Sequence, residues 1–128
     1  MDNRQFRLLK AATPGSYTFI LRATREVPKR LQHPSRRTIG VRIPDHGVVR
    51  ALLTELGEPV LSSTLLLPGV AEPLNDAREI RVVLEHAVDL VLDSGPCGIV
   101  PTTVIDLTGA APVVIRRGRG SLQPLGLG

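Results

Sequence analysis

Residues 38–57 read TIGVRIPDHGVVRALLTELG, and their punctuation decides the fold. The first six, TIGVRI, are mostly β-branched and predict a strand over 38–43. Pro44 offers no backbone N–H and stops it. Asp45 stands where an N-cap is wanted, and Val48, Val49, Leu52, Leu53 and Leu56 then recur at helical spacing, which predicts a helix over 46–56. Gly57 ends that helix as the residue free to turn left-handed. A strand running through a tight turn into an amphipathic helix is the opening of an α/β unit.

Working outward, SYTFILR (16–22) follows the turn pair Pro14-Gly15 and predicts a strand, with a fragment of helix, QFRLLKAA, ahead of it. Downstream, PVLSSTLL (59–66) predicts a third strand running into Pro68-Gly69. A helix is expected from Asn75 or Asp76 to about residue 87, burying Ile80, Val83, Leu84 and Ala87 and turning Arg78, Glu79, Arg81 and Glu85 to water. A short strand is read at 89–93, and two more at 102–107 and 112–117, the link TGAA making them a hairpin. The fold class is therefore α/β, an open mixed sheet with helices packed on it, in one domain over 1–120. Residues 121–128 show no regular pattern and are read as a flexible tail. A sheet of this kind ordinarily has more ahead of its first strand, so an N-terminal part is expected to be missing.

With 128 residues and 42% hydrophobic side chains, the chain has the length and composition of a single globular domain. A single cysteine, Cys97, excludes an internal disulfide framework and a cysteine-rich zinc site. No apolar run reaches the length of a membrane span and the start lacks a signal peptide's apolar stretch, so a cytoplasmic protein is expected. Net charge is +4, and among the basic residues only Lys10 and Lys29 are not Arg. Arg forks grip phosphate and carboxylate in two places at once, which suits a polyanionic partner; a solvated Arg-rich surface is the other reading. Aromatics make up only 2%, which disfavours stacking on splayed bases.

Catalytic signatures are absent: no phosphate loop, no nucleophile elbow, no HExxH. His33, His46 and His86 are scattered, no metal site is expected, and Cys97 has no assignable base. Instead, four segments concentrate hydroxyls, Gly and Arg near strand ends: TPGSYTFIL (13–21), GVRIP (40–44), LSSTLLLPG (61–69) and PTTVIDL with VVIRRG (101–118). Such ends are where open α/β sheets bind ligands, and these groups suit phosphate oxygens. The alternative stays open: Ser62, Ser63 and Thr64 satisfying turn backbone, and Arg42 and Arg116 in structural ion pairs.

In order and spacing over roughly residues 6–119, these segments resemble the threonylcarbamoyl-adenylate synthase, or YrdC, family, and especially its YciO-like branch. The family's WPGPLTLIL is met by Thr13–Leu21, its VGVRVP by Ile39–Pro44, its STSAN by Ser62–Leu66, its PSTVVDL by Pro101–Leu107 and its ILRPG by Ile115–Gly118. The resemblance implies a YrdC-like sheet with a concave basic cavity. It implies joining of ATP, L-threonine and bicarbonate into threonylcarbamoyl-AMP, with release of pyrophosphate, for tRNA modification. ATP would be a substrate carried with Mg²⁺, with no tightly bound cofactor. Double-stranded RNA or tRNA would be a further partner, and a non-catalytic RNA-binding module the alternative function. Carried over by position, Arg42, Ser62, Thr64 and Arg116 would hold the nucleotide and Thr103 would line the pocket near the substrate. The family's PTDTVYGL and Lys-x-Arg segments have no counterpart here, and Leu66 replaces the Asn of STSAN. The expectation is thus the C-terminal two-thirds of a family member, inactive as it stands.

Overall fold

The structure, a computed structural model, describes residues 2–127. The chain divides into two compact units, Met1–Glu58 with Pro101–Gly128, and Pro59–Val100. The first holds a four-stranded mixed sheet in the order β2-β1-β3-β4. Its strands are β1 (Tyr17–Arg22), β2 (Thr38–Val41), β3 (Thr103–Asp106) and β4 (Val113–Arg116). β1 pairs antiparallel with β2 and parallel with β3, and β3 pairs antiparallel with β4 through an irregularity at Val104/Ile105. Strands 16–22 and 38–43 and the hairpin of 102–107 with 112–117 thus form where the residue pattern puts them, shorter by one or two residues at their ends.

Alternation along the strands sends Tyr17, Phe19 and Leu21 of β1 to one face, level with Thr103, Ile105 and Leu107 of β3 and beyond. Helix α1 (Asn3–Ala12) covers that face with Leu9 and Ala12, its start fixed by a capping box between Asp2 and Gln5. Phe19 and Ile105 are fully buried; each such side chain contributes about 1.5–3 kcal/mol. The Tyr17 and Phe19 rings stack 5.9 Å apart. The expected flexible tail takes another course: Gln123–Leu125 forms a 3₁₀ turn, and Leu122 and Leu125 are buried, the latter in the core cluster with Leu9 and Phe19. Two leucines that find an apolar face are held there by burial without any regular pattern. Gly128, the last residue of that segment, lies outside the described residues, as does Met1 at the other end.

Helix α2 (Gly47–Leu56) forms as expected, and Gly57 closes it with φ 68°. Its N-cap is His46, whose Nδ1 accepts the Val49 N–H, rather than Asp45, which sits 4.0 Å from Arg50 on the surface. In the second unit, α3 spans Ala77–Leu84, capped by Asp76 accepting the Arg78 N–H, and ends three residues before the expected stop. Ile80 and Leu84 are half-buried, while Val83, expected inside, is 51% exposed, and Ala87 is exposed too. The strands expected at 59–66 and 89–93 do not form. A strand needs a ladder partner; this unit supplies only isolated bonds such as Leu74 N–H to the Leu65 carbonyl, and none of its residues is fully buried.

Candidate functional site

The sheet face opposite the core is open. Thr18, Ile20 and Arg22 point there from β1, Val104 and Asp106 from β3, and the register Ile20↔Gly40 and Arg22↔Thr38 adds β2. The β1–β2 connection folds back beside this face. Ala23 N–H donates to the Arg37 carbonyl, and His33 and Thr38 are tied by a backbone bond of 2.9 Å. Arg37 takes a left-handed φ of 53° to close the loop. The His33 ring braces it further: Nδ1 accepts the backbone N–H of Ser35 and Arg36, which assigns the ring proton to Nε2.

Between loop and sheet lies a cavity of about 560 Å³. Ile20, Leu31, Ile39 and Ile115 make it apolar, and Arg22, Arg36, His33, Thr38, Asp106 and Thr108 supply its polar groups. Asp106 accepts both the hydroxyl (2.6 Å) and the N–H (2.8 Å) of Thr108. The Thr108 hydroxyl, then its backbone N–H, hold the Asp106 carboxyl below the usual aspartate range against the opposing effect of burial, with Arg36 and Arg22 assisting. Arg22 makes one long contact, Nη2 to the Thr108 carbonyl at 3.5 Å. Among the described residues no carboxylate lies within 4.0 Å of either guanidinium. Two cations, one carboxylate and an apolar lining suit a ligand that joins an anionic group to an apolar or planar body.

Further along the same face stand the arginines singled out from sequence. Arg116 ends β4, and its Nε and Nη2 donate to the Thr102 carbonyl at 3.0 and 2.9 Å, Nη2 also reaching the Thr102 hydroxyl at 3.3 Å. That hydroxyl lies 2.7 Å from the hydroxyl of Thr18. Arg42 follows β2 directly; continuing the Phe19↔Val41 register by one step sets it opposite Thr18. Arg42 and Arg116 therefore share a face, at opposite edges of a four-stranded sheet and about 14 Å apart at Cα. Thr103 faces the other way. It is fully buried, its hydroxyl donating to the Gly120 carbonyl (2.6 Å) and accepting the Gly118 N–H (3.0 Å). Ser62 and Thr64 belong to the second unit, exposed and outside any strand, with the Ser63 hydroxyl donating to the Thr64 carbonyl at 3.3 Å. Cys97 is an exposed thiol in a turn held by Asn75. Among the described residues no three His, Cys, Asp or Glu gather to hold a metal ion, and no helix is long and apolar enough to cross a membrane.

The sequence reading missed Arg22, Arg36, Thr38 and Thr108. The alternation of β1 and β3 carried a signal for Arg22 and Thr108; nothing local marked Arg36.

Comparison with known proteins places this geometry. The family model Sua5/YciO/YrdC, described as "Telomere recombination", matches residues 1–118. The chain is 52% identical over 124 residues to "Uncharacterized protein YciO" of Escherichia coli (strain K12), covering 97% of this chain and 60% of that protein. The crystal structure of E. coli YciO superposes with a TM-score of 0.90 at 51% identity, over 98% of this chain and 61% of that one. A threonylcarbamoyl-AMP synthase of Bacillus subtilis is 30% identical over 112 residues, 87% of this chain and 32% of that protein. P. abyssi Sua5, solved in complex with L-threonine, matches with a TM-score of 0.81 at 25% identity, over 92% of this chain and 34% of that one. The chain thus spans about 60% of the length of the YciO relatives it matches.

Proposed function

The chain belongs to the Sua5/YciO/YrdC family, and on that premise we propose that its open sheet face binds MgATP and serves formation of L-threonylcarbamoyl-AMP within a full family domain. One observation carries the reading: Arg42, the Thr18–Thr102 pair and Arg116 share one sheet face with a cavity holding Arg22 and Arg36. The name of the B. subtilis relative and the L-threonine bound to P. abyssi Sua5 support the substrate class.

The chemistry asks for no covalent nucleophile. The amine of threonine and bicarbonate give a carbamate and water; a carbamate oxygen attacks the α-phosphorus, and pyrophosphate leaves. Positioning and neutralisation of phosphate charge account for catalysis of this kind. Arg116 is suited to it: its Nε and Nη2 are engaged by Thr102, which fixes the guanidinium and leaves Nη1 to meet an anion. Arg42 would bind from the opposite sheet edge. Thr103, matched to the family pattern as a pocket residue, is buried on the core face and would act from behind the site without lining it. Mg²⁺ would arrive on the nucleotide's phosphates, and the reaction would run in the cytoplasm, where ATP and tRNA are at hand.

Calorimetric titration of MgATP into Arg42→Ala, Arg116→Ala and Arg78→Ala variants tests the binding. Loss of a charge-assisted contact weakens affinity about ten- to a hundredfold for the first two. Arg78, solvated on α3, should change it less than about twofold. Equal losses in all three would mean that general charge, not a site, attracts the ligand. Threonine-dependent pyrophosphate release, measured on a full-length relative carrying the same substitutions, tests the catalytic half.

A further inference from the structure

We propose that Thr103 is a positioning residue: its buried hydroxyl sets the Arg116 guanidinium on the open face by locking the segment that follows β4. This rests on the reading of that face as a nucleotide site. Three hydrogen bonds lay residues 118–120 against 101–103. Gly118 N–H donates to Thr103 Oγ1 at 3.0 Å, Thr103 Oγ1 donates to the Gly120 carbonyl at 2.6 Å, and Arg119 N–H donates to the Pro101 carbonyl at 2.8 Å. The fit is tight enough that only glycine serves. A Cβ on Gly118 would press on the Pro101 and Thr102 carbonyls, and one on Gly120 would lie 2.5 Å from the Tyr17 ring.

The hydroxyl therefore grips both ends of the Arg116 contact. On one side Thr103 is bonded in chain to Thr102, whose carbonyl takes the Arg116 fork. On the other it holds Gly118, two residues after Arg116. Both hydroxyl bonds are made on the core face, where Thr103 is fully buried, while the fork lies on the open face. A side chain that touches no ligand thus fixes one that does. Removing the oxygen leaves the Gly118 N–H and Gly120 carbonyl without that partner, and the segment must shift to satisfy them.

The test uses the whole chain, ¹⁵N-labelled, with the Arg116 Nε–H resonance assigned through Arg116→Lys. Thr103→Val keeps the volume and removes the hydroxyl; Thr103→Ser keeps the hydroxyl. Thr103→Val should speed exchange of the Arg116 Nε–H with water roughly tenfold. It should weaken MgATP binding about tenfold, and Thr103→Ser should stay within about threefold of the parent on both readouts. A Thr103→Val protein that melts earlier yet keeps parental exchange and affinity would overturn the proposal, leaving Thr103 a packing residue only. If the parent chain binds no MgATP, the nucleotide reading fails, while the exchange measurement still decides whether Thr103 positions Arg116. Should Thr103→Val not fold, Thr103→Cys, with its weak donor and acceptor, takes its place: faster Nε–H exchange supports the proposal and an unchanged rate overturns it.

Discussion

Replacing Gly118 by Ala puts one methyl group where the structure has no room. The added Cβ would lie 2.5 Å from the Thr102 carbonyl oxygen and 2.6 Å from its carbon, with the Pro101 carbonyl also pressed. All these atoms are backbone, so no rotamer change relieves the contact, and either the start of β3 or the segment after β4 must move. Overpacking of this kind costs about 1–3 kcal/mol. The move also stretches the bond from Gly118 N–H to the Thr103 hydroxyl, worth about 0.5–1.5 kcal/mol. The sum, roughly 1.5–4.5 kcal/mol, is a large share of the ~5–15 kcal/mol that holds a typical domain together. At this chain length it lowers the melting temperature by roughly 5–22 °C. Gly47→Ala is the control: nothing lies within 4 Å of its Cβ, and it opens α2. There, alanine should be neutral or stabilising by up to about 1 kcal/mol. Thermal and urea unfolding followed by circular dichroism reads both variants. A Gly118→Ala protein melting within a degree of the parent would refute the close seating of 118 on 101–102, and with it the route from Thr103 to Arg116.

Two other perturbations follow from the same geometry. The Asp106 carboxyl is held below its ordinary range by the Thr108 hydroxyl first. Its stabilisation is therefore present above the unfolded-state pKa of about 4 and lost as pH falls through the lower folded value. Asp106→Asn should be less stable than the parent at neutral pH and decline less steeply from pH 5 to 2, as urea midpoints across that range would show; parallel curves would remove Asp106 from the acid response. Leu125→Ala should cost about 2–4 kcal/mol, because Leu125 is buried at 7% exposure in the core cluster. An unchanged urea midpoint would restore the view of 121–128 as a tail.

Why part of this was legible in the sequence follows from where each interaction is made. β1, β2 and the β3–β4 hairpin rest on local patterns and nearby turns, so SYTFILR, TIGVRI and TTVIDL announce themselves. Residues 59–100 carry equally apolar runs, PVLSSTLL and DLVLD, yet a strand is a property of two segments, and no partner strand lies within that unit. Composition cannot reveal a missing partner. The cavity was hidden for a related reason. Arg36 reaches it because a loop folds back on a left-handed Arg37 and a His33 ring that accepts two backbone N–H groups, none of which leaves a periodic trace. The two threonines of PTTVIDL are the instructive case. Motif matching favoured Thr103 as the pocket residue, but Ile105 and Leu107 share its face by alternation, and two apolar residues at that period mark the core side. Thr102, in step with Val104 and Asp106, was the outward one, and its carbonyl and hydroxyl are what Arg116 holds. A family pattern says which residues recur; the period of two says which of them can meet a ligand, and here the second argument decides between neighbours that the first cannot separate.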